Sequence, residues 1–162
     1  MAEEKKSNIE LFDIYASYML NRLYEEFPVC VTVDNVDDEI AAIDEKFEEE
    51  FKKLNIRIDR TQKNIVFSET VLWLANNGFI DFTNSYPEDK RPSAPTPYSF
   101  FLCITLTIKG VNLLTGPKPK SINKHRKLGD EIMDKVRHGA LIEAGKMLTE
   151  NMFDFVVAKG LE

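Results

Sequence analysis

Cysteine and histidine are scarce in this chain of 162 residues, which contains only two of each. Cys30 and Cys103 each stand alone among β-branched neighbours. Isolated cysteines of this kind are typical of small buried hydrophobic side chains, so we expect two free thiols in a reducing compartment and no disulfide. His125 and His138 are thirteen residues apart and no HExxH or CxxC spacing occurs, which argues against a metal site.

Long apolar runs are also missing from the sequence. No uninterrupted hydrophobic stretch approaches the roughly 20 residues of a membrane-spanning helix. The segment Met1 to Ser7 is charged, whereas a secretion signal needs an apolar stretch. We therefore predict a cytoplasmic protein with no membrane partner.

Motifs that carry catalytic chemistry are absent from the sequence as well. It contains no G-x-S-x-G nucleophile turn, no P-loop and no G-x-G-x-x-G dinucleotide motif. The many carboxylates cluster on what look like surface faces, and no catalytic pair can be picked out among them. The sequence predicts a non-enzymatic protein with no catalytic residue and no cofactor.

What the sequence does have is an uneven distribution of charge. The net charge is −6, yet residues 1–108 carry 11 basic against 20 acidic side chains and residues 109–162 carry 10 against 7. Nine acids and one lysine fall within residues 34–50, while Ile40, Ile43 and Phe47 keep helical spacing. This pattern predicts an amphipathic helix whose acidic face is either simply solvated or a docking surface for a basic protein partner.

Hydrophobic periodicity and turn residues divide the rest of the chain into helices and strands. In the first half of the chain the predicted elements are a helix ending near Phe27, a strand or extended segment at 29–33, a helix at 34–54 and a loop at 55–64. A helix from Ile65 to Asn77, a strand at 79–84, a proline-rich loop at 85–97 and a strand at 98–107 follow. A short helix at 108–114 and a long helix at 128–157 complete the prediction. Gly139 or Gly145 is expected to bend or break the last helix.

Two short motifs in this order resemble bacterial winged helix-turn-helix domains. The third helix closes with Leu-Ala-Asn-Asn-Gly-Phe-Ile at residues 74–80, and the second wing strand runs into Leu-Thr-Ile-Lys-Gly-Val-Asn-Leu at residues 106–113. Gly78 permits the positive φ that turns the chain from the helix into the wing, and Thr107 can cap the short helix that follows. The resemblance covers about residues 9–115 and implies a mainly α fold with a small antiparallel β-wing.

The chain would then consist of a winged helix-turn-helix core, residues 1–116, and a C-terminal helical extension, residues 117–162, that begins with a basic connector. The extension either packs on its own core or forms a homodimer. Small residues such as Ala140 and Ala144 would let two helices approach closely. The apolar residues expected at such a dimer interface are Ile132, Val136, Leu148 and Phe155.

The same resemblance makes the third helix a recognition helix for the major groove of double-stranded DNA. The early positions of this helix, the wing tip and the basic connector supply polar and cationic groups for bases and phosphates. The candidate DNA-binding residues are Arg60, Gln62, Lys63, Asn64, Ser68, Lys90, Arg91, Lys118, Lys120 and Lys124. A DNA-binding transcriptional regulator is therefore the leading hypothesis.

Three features favour a different partner. Glu69 lies where a DNA reader would carry a basic or neutral residue, and the acidic run at 34–50 would repel phosphate. Leu72 and Trp73 fall outside the predicted core stripe, where apolar groups suit a protein contact. Winged helices also serve as protein-interaction modules, so the alternative is a non-enzymatic interaction or dimerisation module.

Overall fold

Helices account for most of the computed structural model, which describes residues 2–54, 58–87, 97–116 and 127–160. The described helices are α1 (Ala2–Glu26), α2 (Val36–Lys46), α3 (Glu48–Leu54), α4 (Arg60–Asn76), α5 (Ile108–Thr115), α6 (Leu128–Arg137) and α7 (Leu141–Gly160). The described strands are β1 (Val31–Val33), β2 (Ile80–Asp81), β3 (Asn84–Pro87) and β4 (Tyr98–Leu106). The prediction of a mainly helical fold with a small antiparallel sheet is confirmed.

Helix α1 lies at the centre of the molecule. Leu11, Tyr15 and Met19 are completely buried, because α4 packs against α1 together with the two C-terminal helices α6 and α7. A helix with apolar residues on several sides is suited to such an enclosed position. The helix ends at Glu26, shortly before Pro28, as the sequence predicts.

The acidic region forms two helices where one was predicted. Helix α2 begins after Asn35, whose side chain accepts a hydrogen bond from the Asp38 amide at 3.1 Å. Phe47 interrupts the helix and turns its ring into the core, and α3 continues from the next residue. Ile40 and Ile43 are buried, so α2 presents its acids away from the core.

Strand β4 is the central strand of the sheet. It pairs antiparallel with β1 on one side and with β2 and β3 on the other, with Ile80 opposite Leu106 and Tyr86 opposite Phe100. The predicted ribbon, a helix that turns at Gly78 into a strand paired with 98–107, is therefore confirmed. The loop predicted from Ser85 starts too early, because Asn84–Pro87 still pairs with β4.

A tight junction joins α4, β2 and α5. Gly78 has a φ of +80°, and Thr107 accepts a hydrogen bond from the Gly110 amide at 3.1 Å, which is the predicted cap of α5. The Lys109 ammonium donates to the Asn77 carbonyl oxygen at 2.6 Å and lies 4.8 Å from the centre of the Phe79 ring. These contacts fix the direction in which the sheet leaves α4.

The C-terminal helices belong to the same hydrophobic core as α1. The chain breaks between α6 and α7 at Gly139, which has a φ of +77°, and continues through Gly145 without interruption. Ile132, Val136 and Leu148, which were expected at a dimer interface, are buried in this chain's own core. That expectation is wrong for these three residues, because α1 covers the apolar side that was assigned to a second copy.

A disulfide joins Cys30 to Cys103, so the prediction of two free thiols is wrong. The two Cα atoms are 4.9 Å apart because Cys30 precedes β1 and Cys103 lies in β4, which pairs with β1. Structural disulfides are rare in the cytoplasm, so this bond also argues against the predicted location. Among the described residues, no helix combines the length and the apolar character that crossing a membrane requires.

Candidate functional site

The first turn of α4 contains the cations that were assigned to DNA, and both are bound to acids of α2. The Lys63 ammonium lies 3.1 Å from Asp44, and the Arg60 guanidinium lies 3.6 Å from Asp37. Lys63 also lies 5.1 Å from the centre of the Phe51 ring, and its side chain is only 16% exposed. The charge of this turn is therefore largely neutralised within the chain.

The three polar candidates on α4 are also engaged by the fold. Asn64 is buried and donates to Asp37 at 2.9 Å, and Ser68 is completely buried and accepts from the Tyr98 amide at 2.9 Å. The prediction that Asn64 and Ser68 contact DNA is therefore wrong, because Ser68 has no exposed surface and Asn64 is only 7% exposed. Gln62 is half-buried, and its amide nitrogen lies 3.4 Å from the Asn8 side chain.

The other five DNA-binding candidates lie outside the described residues. They are Lys90, Arg91, Lys118, Lys120 and Lys124.

Part of the acidic face serves to hold the fold together. Glu39 accepts hydrogen bonds from Tyr18, at 3.0 Å, and from Arg22. Its carboxylate, together with burial as the larger cause, raises the pKa of Tyr18 to about 12. The acids that remain exposed include Asp38 and Glu45. The surface available to a basic partner on α2 is accordingly smaller than the sequence predicts.

An open groove of about 680 Å³ runs between α1 and the outer side of α4. Its apolar wall is formed by side chains of both helices, and Glu69 is the one charged residue within the described part of the lining. The lining residues are Asn8, Phe12, Gln62, Ile65, Val66, Glu69, Thr70, Leu72, Trp73 and Asn76. Leu72 and Trp73, the two residues predicted to lie outside the core stripe, therefore share one surface.

Trp73 connects this groove to α7. Its ring stands edge-on to Phe12, with centres 5.2 Å apart, and edge-on to Phe153 of α7, with centres 6.0 Å apart. Phe153 and Val157 are 48% and 61% exposed, one helical turn from each other. Phe155, expected at a dimer interface, is half-buried and lies 6.2 Å from the Phe79 ring. An exposed apolar surface thus continues from the groove onto the end of α7.

The sequence contains a second apolar side of α4, which the predicted core stripe does not include and which indicates the groove. Ile65 and Leu72 are seven residues apart and therefore lie on one side of a helix. That side differs from the one formed by Phe67, Val71 and Leu74, all of which are buried. The opposite wall, with Phe12, comes from a helix more than fifty residues earlier, and no local pattern links the two.

The described residues contain no group of three or more histidine, cysteine or acidic side chains placed to hold a metal ion. Compared with protein-family models, with curated proteins and with solved structures, the chain matches none.

Proposed function

We propose that this chain is a non-enzymatic protein-interaction module built on a winged-helix scaffold. The observation that carries the proposal is the character of the outer side of α4. Ile65, Leu72 and Trp73 are only partly covered there, and Glu69 is exposed among them. An apolar surface with one acid suits a protein partner and would repel the phosphates of DNA.

The scaffold part of the proposal is supported by the order of the elements. A helix, a strand, further helices and a two-stranded ribbon follow one another, and β1 lies beside β4 in the sheet. In the resemblance described above, α4 occupies the position of the recognition helix. The module would then present to a protein the helix that related folds present to DNA.

A DNA-binding regulator is the second candidate, and the same element order favours it. Fluorescence anisotropy with a random-sequence duplex at low salt separates the two proposals. We expect no binding at tens of micromolar protein, whereas non-specific DNA binders have dissociation constants of about 10⁻⁴ to 10⁻⁶ M even at physiological salt. Micromolar binding that weakens steeply with salt would favour the regulator instead.

Affinity capture from cells that naturally produce the protein tests the interaction proposal directly. We compare the wild-type chain with Leu72→Glu in the groove and with Ile108→Glu, the same kind of change at an 83% exposed residue of α5. Quantitative mass spectrometry should find a partner that wild type and Ile108→Glu retain and that Leu72→Glu loses at least tenfold. Retention of every partner by Leu72→Glu would contradict the proposal.

Thermal unfolding followed by circular dichroism verifies that both variants are folded. Ile65→Glu changes the same surface about two turns earlier, and it replaces Leu72→Glu if that variant unfolds early.

A further inference from the structure

We infer that the groove between α1 and α4 binds a basic amphipathic helix of a partner, with a lysine or arginine of that helix paired to Glu69. This inference rests on the proposed interaction function and adds the chemical class of the partner. It follows from the shape, the length and the charge of the groove.

The shape favours a helix over a compact ligand. Two helices form the walls, so the groove is elongated and open along its length, as in complexes that bind an amphipathic helix in a groove. Gln62 and Asn76 mark the extent of the lining along α4. At 1.5 Å per residue this distance is about 21 Å, which is about four turns of a bound helix.

The apolar lining indicates what the inner side of that helix carries. Phe12, Ile65, Val66, Leu72 and Trp73 line the groove, and beyond Trp73 the exposed Phe153 and Val157 extend the surface. A partner helix with large apolar side chains at three- and four-residue spacing would bury this surface from one side. Trp73, where the groove meets α7, is the expected centre of the contact.

The charge of the groove decides between a basic partner and a second copy of this chain. Glu69 is exposed, and among the lining residues that the structure describes it alone is charged. Two copies related by a two-fold axis would bring the two Glu69 carboxylates near each other, in a molecule whose net charge is already −6. A cationic helix instead supplies the opposite charge at that position and is also attracted by the overall charge of the chain.

The single tryptophan of the chain gives a local measurement of binding, because Trp73 lines the groove itself. Two 18-residue helical peptides without aromatic residues serve as probes, one made of leucine and lysine and the other of leucine and glutamate in the same pattern. The leucine–lysine peptide should shift the emission of Trp73 to shorter wavelength in a saturable manner. The leucine–glutamate peptide should leave the emission unchanged.

Two variants of equal net charge separate pairing in the groove from general attraction. Glu69→Lys reverses the charge in the groove, and Glu45→Lys reverses an exposed acid of α2. We expect Glu69→Lys to lower the affinity for the leucine–lysine peptide about fivefold or more. An exposed ion pair contributes up to about that factor to affinity, and the reversed charge adds repulsion. Glu45→Lys should bind within twofold of wild type.

Four results would overturn the inference: equal binding of both peptides, equal losses in the two variants, no change in Trp73 emission with either peptide, or an emission that shifts with protein concentration alone. The last result would identify a second copy as the occupant. If binding of a natural partner requires Leu72 but not Glu69, the proposed interaction function is retained. Only the inference that the partner presents a basic helix is then rejected.

Discussion

At the scale of single residues, Gly110 has the least space for a side chain among the glycines that the structure describes. A side chain there would overlap the carbonyl oxygen of Phe79, because α5 lies directly against the start of the sheet. Gly139 differs, since it has a φ of +77° and open space around the position of a Cβ atom. The two glycines are therefore required for different reasons, one by space and the other by backbone conformation.

We predict that Gly110→Ala lowers the free energy of unfolding by about 3 kcal/mol, the upper part of the range for overpacking. Gly139→Ala should lower the free energy of unfolding by about 1–2 kcal/mol, because alanine is strained in the left-handed backbone region. Urea unfolding of both variants beside wild type measures the difference. A Gly110→Ala protein as stable as Gly139→Ala would show that α5 and the sheet are further apart than described.

Two tyrosines make the stability depend on alkaline pH. Burial raises the pKa of Tyr18 to about 12, with a smaller contribution from Glu39, and burial and a hydrogen bond to Asp130 raise the pKa of Tyr24 to about 12. The folded chain therefore keeps these protons while the unfolded chain, with a pKa of 10, releases them. Their contribution to stability is complete below pH 10 and is lost as the pH rises through 12.

The measurement is absorbance at 295 nm during a pH titration, together with urea midpoints from pH 9 to pH 12. Tyr18→Phe should remove a phenol that ionises near pH 12 and should flatten the fall of the midpoint with pH. If the phenol removed by this substitution ionises near pH 10 in the wild-type protein, the burial of Tyr18 is contradicted.

At the scale of elements, the disulfide attaches the short strand β1 to β4. It closes a loop with a sequence separation of 73 residues between Cys30 and Cys103. In the chain-entropy account, a cross-link of this span stabilises the folded state by about 4 kcal/mol. Adding dithiothreitol should lower the urea midpoint of wild type, and Cys30→Ala/Cys103→Ala should unfold at that lower midpoint with or without the reductant. Two reactive thiols in the unfolded, unreduced chain would disprove the bond.

The ends of elements were predictable from sequence where a turn residue or a helix-capping residue marks them. Gly78 marks the turn after α4, and Thr107 caps the start of α5. Both were predictable because each residue acts through its own backbone or its immediate neighbours. The start of α4 was predicted five residues too late, although Asp59 caps it by accepting from the Gln62 amide at 2.8 Å. The break at Phe47 escaped prediction, since α2 and α3 keep the same apolar spacing across it.

The candidate site was predictable only in part, because long-range packing decides which side of a helix is covered, in the site as in the core. Leu72 and Trp73 were identified because they depart from the buried stripe of their own helix. Asn64 and Ser68 were misassigned because their partners, Asp37 and Tyr98, are about thirty residues away in sequence. A helical pattern shows which residues share a side, but the elements that cover each side are set by long-range packing.

At the scale of the whole molecule, the first and last helices depend on each other. The Asp13 carboxylate accepts a hydrogen bond from Thr149 at 2.7 Å, and a Cβ atom at Gly145 would overlap the backbone of Asp13. Helices α6 and α7 place several fully buried side chains on the core, among them Ile132 and Leu148. Removing these helices would expose the side of α1 that they cover.

We predict that a chain ending at residue 116 does not fold. The structure shows seven large apolar side chains of α6 and α7 buried. At about 1.5–3 kcal/mol each they contribute about 10–20 kcal/mol, which is comparable to the net stability of about 5–15 kcal/mol typical of a whole domain. Circular dichroism and urea unfolding of chain 1–116 should show no cooperative transition, whereas chain 1–160 should unfold like wild type. A cooperative transition in chain 1–116 would establish residues 1–116 as an independent domain.

The pairing of α1 with α7 also has a consequence for synthesis in the cell. Asp13 and Thr149 are separated by 136 residues, which a ribosome adding 5–20 residues per second needs roughly 7–27 s to produce. During that interval the side of α1 that α7 covers stays uncovered in the nascent chain, so folding is completed only after α7 has left the exit tunnel. A chaperone that shields nascent apolar helices should therefore increase the yield of native protein, and its depletion should direct α1 towards aggregation.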